Sequence, residues 1–304
     1  MRNKTSRSGK CSGSSTAKQT MQHRVGSKVS SLAATAHGFS AQVGARLDVP
    51  SMPSPLSPLA IPDNAFDTLV QMRLGVVPPV PRGVPSRCPC GAEDADLANF
   101  PEHPLSCKLL KRRELNHRHN EIVQVIAGIA RLAGCDAQVE PASVLFEDGR
   151  HPDLQLIAGL EHHMIDVTIS HPLCPSHLVL AGTQGAVAAR REKDKHTKYG
   201  QQCKAFGYDF HAVSMESLGL MGEGCKQLFR IINNHANNTP SLGFADDYIH
   251  GLLTHGCAAA LARGNHKALE AGRAHALQWS RQGCSGHYAA GRLKSHLGAE
   301  DGSD

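Results

Sequence analysis

Two aspartates, Asp153 and Asp166, have the types and spacing for metal chemistry. Asp153 follows Pro152 at the head of an apolar run (Leu154, Leu156, Ile157). Asp166 lies inside Met164–Ile169, where Ile165, Val167 and Ile169 take one face of a strand and Asp166 and Thr168 the other. Gly159 marks a turn between the runs, so Arg150 to Ser170 reads as a hairpin that His171-Pro172 closes. Aspartate is depleted in strands, and two carboxylates brought together at one end of a hairpin repel unless a cation lies between them. Oxygen ligands of this kind suit Mg²⁺ or Mn²⁺. The plainer alternatives are turn chemistry for Asp153 and a solvated polar face for Asp166.

A second cluster has a different ligand chemistry. Cys88, Cys90, His103 and Cys107 follow the pattern C-x-C-x12-H-x3-C. Thiolates and imidazole are the ligands Zn²⁺ prefers, and four of them close a tetrahedral structural site. Gly91 permits the tight turn such a knuckle needs. Lys108, Lys111, Arg112 and Arg113 follow directly and are candidates for nucleic-acid backbone contacts, as are Arg190 and Arg191 further on.

The elements that must position these groups come from periodicity. A short helix is expected over Phe66–Gly75. An amphipathic helix should run from Glu114 to Ala133 with Gly134 as its stop, and an irregular strand over Gln138–Phe146 carries Glu140. After the hairpin, Ala186–Phe206 reads as a helix whose Tyr199, Cys203 and Phe206 face the sheet and draw Glu192 and Lys195 toward it. Tyr208–Ser214 forms a strand and Cys225–Ile232 a last core helix. The order helix, strand, hairpin, helix, strand, helix implies an α/β fold with a mixed sheet flanked by helices. Two further helices are expected at Asp246–Arg263 and Lys267–Trp279. Cys135, Cys203 and Cys225, each alone in an apolar segment, read as buried inert thiols. The regions are a basic, Pro-rich disordered tail (1–62), a short helix and knuckle (63–113), the α/β body (114–235) and a helical extension with a frayed end (236–304).

Pro152-Asp153, a spacer, then Asp166-Val167-Thr168 resembles the PD-(D/E)xK nucleases. With the Cys-Cys-His-Cys knuckle before it, the chain looks most like the restriction-enzyme-like endonuclease domain of early-branching, site-specific non-LTR retrotransposons. That resemblance implies a restriction-endonuclease-like core and a Mg²⁺-dependent enzyme that nicks target DNA, so that the 3′-hydroxyl primes reverse transcription. In that fold an acid from the first helix often joins the metal, which makes Glu121 a candidate beside a solvated helix glutamate. Glu140 and a backbone carbonyl near Val167 are further candidate ligands. The family's usual lysine position is Thr168 here, and several members recruit the lysine from the next helix. Arg191-Glu192-x-x-Lys195-x-x-Lys198-Tyr199 looks like that element, with Lys195 first and Lys198 second; a charged, solvated helix is the alternative. His151 stands where the family has Lys or Arg. These departures also fit a catalytically inactive, zinc-stabilised nucleic-acid-binding remnant, and a purely structural interaction module is a third reading. The chain lacks a reverse-transcriptase segment, which implies a detached C-terminal piece, with DNA, element RNA or a reverse transcriptase in trans as partners.

Charge is unevenly distributed. Of 32 Lys and Arg, eight fall in residues 1–47, which hold no Asp or Glu; the remaining 24 stand against 27 acids, about −3. DNA contact by the body therefore needs a local basic face. The tail is a basic arm, a nuclear address, a mitochondrial transit peptide or a leftover linker. The ten cysteines come without an apolar signal core or a membrane-length apolar run, so an intracellular chain with reduced thiols and no membrane partner is expected; the location expected is nuclear, with mitochondrial as the alternative.

Overall fold

A four-stranded mixed sheet carries the hairpin. The computed structural model describes residues 59–281 apart from 75, 77–79, 81, 86, 93 and 142–150. The strands are β1 (Asp136–Val139), β2 (Leu154–Ala158), β3 (Glu161–Ser170) and β4 (Asp209–Glu216), in that spatial order. The β1–β2 and β2–β3 pairs are antiparallel, and β3–β4 is parallel. A parallel pair needs a long crossover. Helix α3 (Ala186–Lys195), a π turn at His196–Gly200 and the short α4 (Gln201–Ala205) supply it; α1 (Asp63–Arg73), α2 (Asn116–Leu132), α5 (Glu223–Asn237) and α6 (Tyr248–Arg281) complete the described helices.

Strand β3 is central, paired on both sides and covered on both faces. Ile165 and Val167 join the main core with Leu154, Leu156, Val213 and the apolar stripes of α2, α5 and α6. Met164 packs with Tyr199 and Cys203 on the opposite face. Fully buried side chains such as Ile126, Leu154, Ile165 and Phe229 each contribute about 1.5–3 kcal/mol by leaving water. The face expected to be polar is therefore not solvated: Asp166 is 3% exposed and Thr168 8%. Cys135, Cys203 and Cys225 are buried thiols, as their settings predicted.

Three expectations need correction. The first strand starts earlier and ends at Val139, because Glu140 takes φ +47° and Pro141 follows; the rest of that predicted strand, residues 142–146, lies outside the described residues, as do the tail over 1–58 and the end from 282. Phe206 is 57% exposed, since α4 stops at Ala205 and Gly207 (φ +76°) turns the chain away. The two C-terminal helices are one continuous 34-residue helix. Gly264, where they were expected to part, does not break it: Arg118 fills the space a Cβ would occupy, and the close approach of α2 to α6 requires glycine there. Asn265 beside it is buried, accepting from Arg118 Nη1 (2.7 Å) and donating to the Ser217 carbonyl (2.7 Å). No described helix is long and apolar enough to cross a membrane.

Candidate functional site

Asp153 immediately precedes β2, and its backbone N–H donates to the Ile165 carbonyl (2.9 Å). That pairing aims its side chain along β3, where Oδ2 accepts the Val167 N–H at 2.6 Å. Asp166 is the neighbouring residue, pointing to the α3 side. Lys195 reaches down from α3 and places Nζ 2.7 Å from Asp166 Oδ2. Burial, then the charge of Asp153, pushes the Asp166 carboxyl up, while Lys195 and His119 pull the other way. The charge of Asp153 thus reaches Asp166 across the hairpin.

The helix carrying Lys195 is fixed at two points by carboxylates that accept backbone N–H groups. Glu216, at the end of β4, accepts from Ala188 N–H (3.3 Å) in the first turn of α3. Glu192 accepts from Gly224 N–H (3.1 Å) at the start of α5. A Cβ at Gly224 would run into the Ala212 carbonyl on β4, so α5 can lie this close only with glycine there. Lys198 is exposed, with Nζ 5.0 Å from the centre of the Tyr199 ring.

His119, which the sequence reading passed over, completes the group. Its Nε2 lies 3.1 Å from Asp153 Oδ2 and 3.0 Å from the Val167 carbonyl, and its Nδ1 lies 3.0 Å from Asn120 Oδ1. Burial opposes charge on this ring, but Asp153, Asn120 and the Val167 carbonyl outweigh it and raise its pKa to about 9. Nothing in its spacing separates it from His117 two residues earlier; its role is visible only once β2 and β3 stand beside α2. Glu121, by contrast, turns toward α6 and pairs with Arg263. Glu140 donates its backbone N–H to the Asp153 carbonyl (3.0 Å) and lines a cleft with His119, Asn120, Gln124 and Asp153.

The Cys/His cluster is assembled. Cys88, Cys90, His103 and Cys107 are buried, and their ligand atoms lie within 4.8 Å of one another. Cys88 Sγ and Cys107 Sγ are 3.7 Å apart, close to the roughly 3.8 Å edge of a tetrahedron with ~2.3 Å Zn–S bonds. Gly91 takes φ +74° at the knuckle, and Ala92 N–H donates to Cys90 Sγ (3.4 Å). Asp94 Oδ2 lies 3.1 Å from His103 Nδ1, the carboxylate partner that turns the other ring nitrogen toward a metal. Contact with Cys107 pushes the Cys88 thiol up and pulls Cys90 down, as in thiols close enough to share a proton. The donor set could bind zinc. Among the described residues it is the one group of three or more such ligands gathered this tightly. Bringing Asp153, Asp166 and His119 onto one ion therefore requires a side-chain rotation.

The basic residues sit on the segments that carry the site. Lys108, Lys111, Arg112 and Arg113 are exposed between Cys107 and α2, partly on a π turn at Lys111–Leu115. Arg190 is exposed on α3, and Arg191 pairs with Asp194 at 3.5 Å. No protein-family model and no curated protein matches the chain.

Proposed function

We propose that the chain is a metal-dependent DNA endonuclease with a restriction-endonuclease-like core and a zinc knuckle, derived from a non-LTR retrotransposon. The observation that carries this reading is the convergence of Asp153, Asp166 and Lys195: an ammonium 2.7 Å from one carboxylate, with the second carboxylate hydrogen-bonded to the next residue of the same strand. The element order supports the fold reading, with the lysine arriving from the crossover helix between two parallel strands.

Asp153, Asp166 and the Val167 carbonyl would hold Mg²⁺ or Mn²⁺; burial and the neighbouring Asp153 charge push the Asp166 carboxyl up, and a further cation beside it would favour its charged form. When bound, such an ion polarises a phosphate oxygen and lowers the pKa of a coordinated water. Lys195 donates to the attacking water or to the charge growing on phosphorus. Its ammonium also lies over the Tyr199 ring, with Nζ 5.6 Å from the ring centre. Lys108, Lys111, Arg112 and Arg113 neutralise DNA phosphates, so affinity falls as salt rises. Cys88, Cys90, His103 and Cys107 would hold zinc as a structural ion. The nick supplies a 3′-hydroxyl to a reverse transcriptase acting in trans, within the nucleus.

The test is nicking of supercoiled DNA with Mg²⁺ or Mn²⁺ and with Asp166→Ala as control. Metal-dependent nicking that the variant loses supports the enzyme. A second reading, an inactive nucleic-acid-binding remnant, is favoured by one feature: each carboxylate already has a cation from the protein, His119 for Asp153 and Lys195 for Asp166. Salt-dependent binding with no nicking in either metal selects it.

A further inference from the structure

The three atoms that already meet at one corner of the site are not the pair of carboxylates. They are His119 Nε2, Asp153 Oδ2 and the Val167 carbonyl oxygen, with the nitrogen 3.1 and 3.0 Å from the two oxygens. An octahedral ion with bonds of about 2.1 Å holds adjacent ligands about 3.0 Å apart. The imidazole nitrogen thus stands where a ligand of the same ion would stand. On its other side Nδ1 lies 3.0 Å from Asn120 Oδ1. A proton held on Nδ1 by Asn120 Oδ1 leaves the Nε2 lone pair for the ion once the Nε2 proton departs, the outer-shell arrangement typical of metal-bound histidine. Asn120 is adjacent on the same helix turn, so ring and partner are placed together by α2. Val167 N–H holds Asp153 Oδ2 from the opposite side at 2.6 Å.

We propose that His119 is a direct ligand of the divalent cation, making the centre a mixed nitrogen–oxygen site that takes Mn²⁺ in preference to Mg²⁺. The proposal rests on reading Asp153 and Asp166 as a metal centre and adds the identity of the ion. Mg²⁺ is hard and keeps to oxygen, whereas imidazole suits first-row transition ions. As the Nε2–metal bond forms, the proton that Nε2 shares with Asp153 and Val167 leaves to water. Asp166 joins by rotating off Lys195 or through a bound water, which frees the ammonium for the phosphate.

The experiment is Mn²⁺ binding to the full chain with its Cys/His cluster loaded with zinc, read by electron paramagnetic resonance and spin-echo modulation. The expected result is coupling of Mn²⁺ to one nitrogen, changed by ¹⁵N-histidine labelling and lost in His119→Gln. That variant should bind Mn²⁺ more weakly by at least the roughly tenfold that loss of an outer-shell partner costs, while Mg²⁺ binding stays within about twofold. The isotope arm needs no variant, so a poorly folding substitution leaves the test intact. Mn²⁺ that binds in an Asp153-dependent way without nitrogen coupling overturns the role of His119 and leaves the nuclease reading standing. Absence of any Asp153-dependent binding of Mn²⁺ or Mg²⁺ overturns both.

Discussion

Lys195 Nζ stands 2.7 Å from Asp166 Oδ2, although the two residues belong to different layers of the fold. The helix that carries Lys195 is tethered at two points, at Ala188 by Glu216 and at its own Glu192 by Gly224. The contact separates Lys195, the first choice on this charged helix, from Lys198, the second. Lys195→Met is expected to lower nicking by about 10²–10³-fold, the scale of losing a positioned transition-state donor. Lys198→Ala should change it less than about fivefold by the same measure of what an uninvolved cation contributes. Single-turnover rates on plasmid DNA, with circular dichroism to check folding, decide between them.

Asp166 gives a stability prediction of the opposite sign to the functional one. Its carboxyl is pushed up in the folded chain by burial and by Asp153. The charged form is thus less welcome in the fold than in the unfolded chain, and stability drops as pH rises through the folded value. Asp166→Asn removes that penalty. Without added divalent cation, the variant should melt a few degrees higher at pH 7 and at the same temperature as the parent near pH 3. A variant that melts lower at pH 7 would mean that the Lys195 pair stabilises more than burial costs.

The Cys/His cluster should hold one zinc per chain. Asp94→Asn keeps all four ligands but weakens the hold on His103 Nδ1, so zinc affinity should fall about 10–100-fold. Competition with a chromogenic chelator measures this directly. Cys107→Ser removes a ligand and should lower the melting temperature more than Asp94→Asn does, because the cluster packs against Leu110 and Ala276 of α6.

Acid should loosen the far end of the sheet. His211 Nε2 lies 3.2 Å from His163 Nδ1, and burial followed by the neighbouring His163 lowers the pKa of His211 to about 4. A histidine buried neutral contributes stability above its ordinary value, near 6.5, and loses it as pH falls toward the folded value. His211→Gln should therefore flatten the stability profile between about pH 6.5 and 4, by up to ~1.4 kcal/mol per pH unit. Urea unfolding at a series of pH values provides the comparison. Equal slopes in parent and variant would count against it.

Local pattern revealed most of the elements and the Cys/His cluster. Alternation around Asp166 gave β3, the glycine at 159 gave its hairpin, and the thiol and imidazole spacing gave a cluster that the fold gathers within 4.8 Å. What stayed hidden depended on contacts between distant segments. His119 acquires a partner 34 residues away, and Glu121 loses its candidacy to an arginine 142 residues away. The burial of both β3 faces could not be read from an alternating strand, since it depends on β4 and on the crossover helix covering the second face. The two C-terminal helices were expected to part between Arg263 and Lys267, where local pattern knows nothing of Arg118, which occupies the space beside Gly264.

That single helix has a practical consequence for anyone trimming the protein. Ile249, Leu253, Cys257, Ala260 and Leu261 of α6 belong to the same core as Ile122 and Ile126 of α2, and Ala276 further along the same rod touches the thiol cluster. A fragment stopping at Asn237 would uncover an oily trough along α2 and leave Arg118 without its amide partner. Such a fragment is expected in inclusion bodies. A fragment that keeps both sets of contacts runs at least through Ala276.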